Sequence, residues 1–314
     1  MDLNTCLSKM VPPGAHKVGK YLEGIVQVWV THKCENACVH CLQCSNVKTP
    51  TADITVDQYA QAVYSLKDYF GVVGMFGGNP TLHPQFEELC EVLKGAIPYY
   101  RRGLWSSSLN GHGKLVRETF NPAVSNINVH TNSKAFYEFQ EEWPEVRVFG
   151  LEDSTHAPAF ISLRETIEDK EDCYALISKC EINRHWSPMV APFRGELRAY
   201  FCEVAGAQAM LHQGDPDYPD LGVVVDGSWW KRPMSVFAKQ VEQYCLNCSV
   251  PLNVKGSPSQ GDTPEHVSKY HLPFMKLKGY RDVHEVTSLS ELDLRKDVRI
   301  IDYIGNTKKL GSHS

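Results

Sequence analysis

Short apolar runs alternate with stretches of helical periodicity through the first half of the chain. Such alternation predicts strands and helices in turn, and so a parallel sheet with helices packed against it. Residues 25–30 (IVQVWV) are apolar and β-branched, as a buried strand requires. Thr55 opens a helix predicted over 56–69, with Gln58 three positions on as a capping box. Further strands are predicted at 72–76, 103–107, 127–130, 146–150 and 158–163, and helices at 84–93, 113–120, 133–140 and 168–179. Six alternations between residues 24 and 180 suit a partial (β/α)6 parallel barrel; a complete barrel needs eight in about 250 residues. After Cys180 the texture changes, and turn-rich segments at 214–222, 228–233 and 251–264 break the pattern. Helical signal survives around 204–212 and 234–243. The expected organisation is an N-terminal extension (1–23), the partial barrel (24–180) and a small irregular cysteine-containing C-terminal domain (181–314). A loop-rich domain of that kind often needs a metal to be stable.

Composition narrows the function. The 314 residues include 32 Lys and Arg against 37 Asp and Glu, a net charge of −5. That balance argues against a broad nucleic-acid or membrane surface, and leaves a local basic groove open. The first 17 residues hold no apolar core of the signal-peptide kind, and the apolar run at 24–30 is too short to span a bilayer. The expectation is a cytoplasmic protein without a membrane partner. In a reducing compartment, clustered cysteines among the eleven are metal ligands rather than disulfides.

Cys34, Cys38 and Cys41 stand in a CxxxCxxC loop directly after the first predicted strand. Thiolates suit iron–sulfur clusters and zinc alike. Cys44 extends the loop by a CxxC, so four thiolates could close a tetrahedral zinc site. Three ligands on a four-iron cluster would instead leave one iron open. The second predicted strand ends in Gly77-Gly78-Asn79-Pro80, where glycines let the backbone approach a ligand closely.

The two motifs, at the ends of successive predicted strands, resemble the radical S-adenosylmethionine superfamily. His40 stands where that family usually has an aromatic residue, and Asn79 where its GGEP motif has Glu. The resemblance implies a [4Fe–4S] cluster on Cys34, Cys38 and Cys41, with S-adenosylmethionine chelating the fourth iron. It implies reductive cleavage to a 5′-deoxyadenosyl radical, fed by an external one-electron donor such as flavodoxin or ferredoxin. His40, Gly77, Gly78, Asn79 and Pro80 would border the cofactor. Ser107 and Asn110, at the end of the third strand, are candidates for its ribose and carboxylate. His130, ending the fourth, is a candidate to face the substrate.

Cys245 and Cys248 form a second CxxC, preceded by Cys202 and Cys180, with Cys173 an alternative to Cys180. Four thiolates from separated positions can close either a second [4Fe–4S] cluster or a zinc site. The set resembles the auxiliary-cluster region of the SPASM and Twitch subgroup. Arg194 and Arg198 are candidates for a charged substrate group, and Trp229-Trp230 for stacking or for a small core. The expected substrate is a small polar molecule such as a sugar or aminocyclitol. Nucleobase, nucleotide or peptide modification is the alternative, with the basic run 295–309 as its only electrostatic hint. A non-catalytic zinc-binding module is the reading from another class.

Overall fold

The computed structural model describes residues 1–15, 24–49, 52–185, 188–279 and 281–295. The basic run beyond Arg295 lies outside them. Helix α1 (Leu3–Lys9) precedes the first strand, β1 (Ile25–Thr31), whose seven residues are all buried. Helix α2 (Val56–Ser65) follows, and Thr55 and Gln58 form the capping box expected of them. Next come β2 (Val72–Gly77), α3 (Phe86–Ala96), β3 (Arg102–Ser106), α4 (Gly113–Thr119), β4 (Asn126–Asn128), α5 (Ser133–Glu142) and β5 (Val148–Phe149). The helices bury apolar stripes such as Tyr59, Ala62 and Val63 of α2, and Phe86, Leu89 and Leu93 of α3.

Strands β1 to β5 pair in chain order, every pair parallel. The sixth expected strand, at 158–163, does not form. Its residues run as buried coil into α6 (Leu163–Thr166), after the short β6 (Thr155–His156). Serines from far along the chain satisfy its backbone: Ser249 donates to the carbonyls of Ala159 and Pro158, and Ser268 to that of Phe160. An apolar run needs its polar backbone paired, but a strand is only one way to pair it.

After α7 (Lys170–Ile177) and α8 (Glu181–His185), strand β7 (Met189–Phe193) pairs parallel with β1 on the side away from β2. β8 (Glu196–Tyr200) turns back antiparallel to it, α9 (Glu203–His212) follows, and β9 (Val223–Val224) closes the edge. The result is one eight-stranded mixed sheet, ordered β5-β4-β3-β2-β1-β7-β8-β9. Residues after Cys180 therefore extend the sheet that begins at β1. Beyond it lie α10 (Ala238–Tyr244), β10 (Ser257–Pro258), β11 (Glu265–Val267) and β12 (Val283–Glu285), joined by short 3-10 turns. β10 pairs with β6 and β11 with β12, as two small separate ladders. Among the described residues no helix is long and apolar enough to cross a membrane, and the eleven cysteines form no disulfide.

Two features of the parallel strands shape the site. Gly74 on β2 and Gly103 on β3 are cross-strand partners, and the Trp105 ring lies over both positions. That ring becomes a floor. The register of β1 against β2 slips between Trp29 and Thr31, a bulge at the strand end that re-aims the chain entering the cysteine loop. There Gly78 N–H donates to Thr31 O and Asn79 N–H to Lys33 O, both at 2.7 Å. Gly77 has φ 146°, and a Cβ on Gly78 would collide with the Lys33 carbonyl. Gly78→Ala is therefore expected to lose about 1–3 kcal/mol through overpacking against backbone. The midpoint of chemical denaturation checks this, and an unshifted midpoint would refute it.

Candidate functional site

A cavity of about 360 Å3 opens at the carboxyl ends of β1 to β4. Parallel sheets collect their sites at that edge. Cys34, Cys38 and Cys41 line it from one side, and Gly77, Gly78 and Ser107 from the strand ends facing them. Trp105 forms its floor. Asn126 and Asn128 of β4, two residues apart and so on one face, line the wall that continues to His130.

The structure places the other expected residues elsewhere. The Asn79 side chain is fully buried and spent within the protein. Its amide donates to Glu35 at 2.9 Å and Ser108 Oγ at 2.5 Å, while its carbonyl oxygen accepts from Ser106 and Thr81. Asn110 joins the same network through Thr81 and Ser108. This network fixes the strand ends from behind the cavity. Pro80 opens a buried 3-10 turn and does not line the cavity. Arg194 sits at the β7–β8 turn, with its guanidinium on the carbonyls of Gln213, Asp215 and Tyr218. Arg198 pairs with Asp220 at 2.6 Å. Neither arginine is brought to the cavity. Trp229 and Trp230 are buried, both indoles donating to Ser65 at the end of α2, and so pack a core.

His40 is 1% exposed and turned away from the cavity. Its ring Nε2 accepts from the backbone N–H of His266. In the neutral ring the proton is then on Nδ1, which donates to His156 O at 3.3 Å. Its backbone N–H donates to both carboxyl oxygens of Glu265 at 3.1 Å. Glu265 is 1% exposed, and burial pushes its carboxyl up to about 7. The chain around β10 and β11 thus grips the cysteine loop, which the sequence did not signal. His156, also absent from the sequence reading, lines the cavity beside His130, ring centroids 5.1 Å apart. Burial, then the neighbouring ring, pushes His130 down to about 4, and burial lowers His156 as well. Both rings are neutral at pH 7.

The cavity lining fits a polar ligand held beside thiolates. Three buried polar atoms of lining residues have no protein partner: Gln43 Oε1, Trp105 Nε1 and Ser107 Oγ. Buried polar groups without partners are costly, so such a cluster marks a place for a ligand or water. Burial and mutual repulsion push the thiols of Cys34 and Cys38 up, Cys34 to about 12. Burial also raises Cys41. A cationic centre would relieve that repulsion and take the thiols as thiolates.

A second, much smaller cavity of about 20 Å3 is lined by Cys180, Cys202, Cys245 and Cys248 together. Burial and the neighbouring thiols hold Cys245 well above its ordinary range. Cys173 lines a different cavity on α7, apart from these four. Cys6 on α1 approaches Cys180 and Cys245, and its thiol faces Met10 Sδ at 3.9 Å. Ile182 lines both cavities, and Cys202 lines the second while the next residue, Glu203, lines the first. The two sites share a wall. Among the described residues no three His, Cys, Asp or Glu side chains converge to hold a single metal ion.

The Cys245–Cys248 turn is held by a neutral histidine pair. His271 Nε2 donates to Asn247 O at 2.7 Å, leaving its Nδ1 to accept from His212 Nε2 at 3.0 Å. Burial, then the partner ring, lowers His212 to about 3; burial lowers His271 to about 4. Above pH 6.5 both are neutral, folded or unfolded. Below it the unfolded chain binds more protons, so stability falls as pH drops towards 4. The expected slope is about 1.4 kcal/mol per pH unit for one such proton. Denaturation at pH 5 and pH 7 checks this, and His212→Phe should flatten the difference.

No family model matches the chain, and no curated protein matches it in sequence. Among solved structures it is similar to the crystal structure of BtrN in complex with AdoMet and 2-DOIA. The TM-score is 0.46 at 15% identity, over 72% of this chain and 93% of that one. At that level the functional reading rests on the geometry of the site.

Proposed function

We propose that this chain is a radical S-adenosylmethionine enzyme with an auxiliary cluster, acting on a small polar substrate. The observation that carries the reading is the first cavity itself. It is lined by buried Cys38 and half-buried Cys34 and Cys41, a glycine strand end and three unpartnered polar atoms at the carboxyl edge of a parallel sheet. Bound there, a [4Fe–4S] cluster and S-adenosylmethionine would supply reductive cleavage of the sulfonium and a 5′-deoxyadenosyl radical to take hydrogen from the substrate.

Each group of the chain has a place in this reading. Cys34, Cys38 and Cys41 would hold the cluster. Gly77 and Gly78 keep the strand end bare of side chains where the cofactor would lie. Ser107 offers it an uncommitted hydroxyl. Asn126, His130 and His156 present carboxamide and neutral imidazole groups, which suit hydroxyls or amines rather than an anion. Cys180, Cys202, Cys245 and Cys248 would hold the second cluster, on the other side of the wall the two cavities share. An external one-electron donor completes the set.

Anaerobically reconstituted protein is expected to be brown. Given dithionite and S-adenosylmethionine, it should release 5′-deoxyadenosine and methionine. A colourless protein that binds only zinc would sink the proposal.

A further inference from the structure

Three consecutive residues of the cysteine loop are held by one distant segment. Val39 N–H donates to Ser259 O at 2.9 Å, and His40 N–H donates to the Glu265 carboxylate. Between these, Gln260 Nε2 lies 3.2 Å from Cys38 Sγ, a hydrogen bond across 222 positions of chain. The segment is fixed on its other side too. Ser259 N–H donates to Ser154 O at 2.7 Å, and Ser257 pairs with His156 in the β6–β10 ladder. Gln260 is thus carried on a strip wedged between the cysteine loop and the cavity's histidine wall. Its amide has no other protein partner among the described residues.

An N–H donor aimed at a ligand sulfur stabilises negative charge there. A reduced cluster places more charge on its thiolates than an oxidised one. Such a bond therefore favours the reduced state and raises the reduction potential. Asn36 offers Cys34 a backbone N–H, and Gln43 and Ser45 do the same for Cys41. Cys38 has its own backbone N–H and, in addition, the Gln260 side-chain amide.

We propose that Gln260 is a positioning residue that tunes the first cluster, its amide N–H on Cys38 Sγ raising that cluster's reduction potential. This rests on the proposed function above. The test is a redox titration of the reconstituted holoenzyme, followed by the electron paramagnetic resonance signal that Cys41→Ala removes. Gln260→Leu is expected to shift the reduction equilibrium about tenfold towards the oxidised cluster, or about 59 mV for one electron. Iron content should not change. Gln260→Glu keeps the length, loses the donor and should shift the same way. An unchanged or higher potential in both variants would overturn the proposal. So would loss of first-site iron in both, which would make Gln260 a purely structural prop. Wild-type protein that takes up no iron at Cys34, Cys38 and Cys41 would instead defeat the functional reading, and this inference with it.

Discussion

Cys38→Ala is expected to abolish 5′-deoxyadenosine formation, reducing it to the level of a protein-free control, and to remove the iron of the first site. Cys38 is 5% exposed and sits in the middle of the loop, where Gln260 meets its sulfur. Alanine there leaves one iron without a ligand in a buried wall. No neighbour can replace it: Cys44 is buried and does not line the cavity. The fold should survive, because the loop keeps its backbone bonds to Ser259 and Glu265. Cys90→Ala serves as the control. Cys90 is buried on α3 among apolar residues, so iron and cleavage should both be retained. Full cleavage by well-folded Cys38→Ala would refute the assignment of the loop.

Cys245→Ala should give a different phenotype, losing the iron of the second site while 5′-deoxyadenosine formation stays measurable. The four cysteines of the second cavity line it from the residue before α8, the start of α9 and the turn after α10. The first loop is held by the β10 and β11 segment instead. The contact between the sites is the wall at Ile182 and Cys202–Glu203, so on the proposed reading the second site could be emptied without dismantling the cysteines of the first. Iron and sulfide analysis beside product chromatography checks this. Complete loss of cleavage in folded Cys245→Ala would mean that the sites are not separable.

Much of the site was legible in the sequence because its parts are local. A cysteine spacing and a glycine pair at strand ends are both short patterns, and a parallel sheet brings successive strand ends to one edge. Cys180 and the later cysteines were legible as a set, but not which residue joined them. Only the placement of Cys173 on a different cavity separates it from Cys180. His156, Glu265 and Gln260 carried no local signal. Each acts through a partner more than 100 positions away, and its residue type is ordinary where it stands.

The sixth parallel strand shows the same divide. Residues 158–163 look as apolar as a strand, while 189–193 are interrupted by Pro192. The chain nevertheless uses the second as β7 and leaves the first as coil. Hydrophobic pattern reports that a segment is buried; it does not report which distant donors and acceptors satisfy its backbone. The sequence by itself determined the alternation of strands and helices, the placing of the cysteine loop after β1 and the glycine strand end. These depend on side-chain period and on neighbours along the chain. Tertiary structure alone decided that β7 adds beside β1, that Asn79 is spent in a buried network, and that a C-terminal strip grips the cysteine loop. Those outcomes depend on hydrogen bonds between segments that meet only when the whole chain has packed.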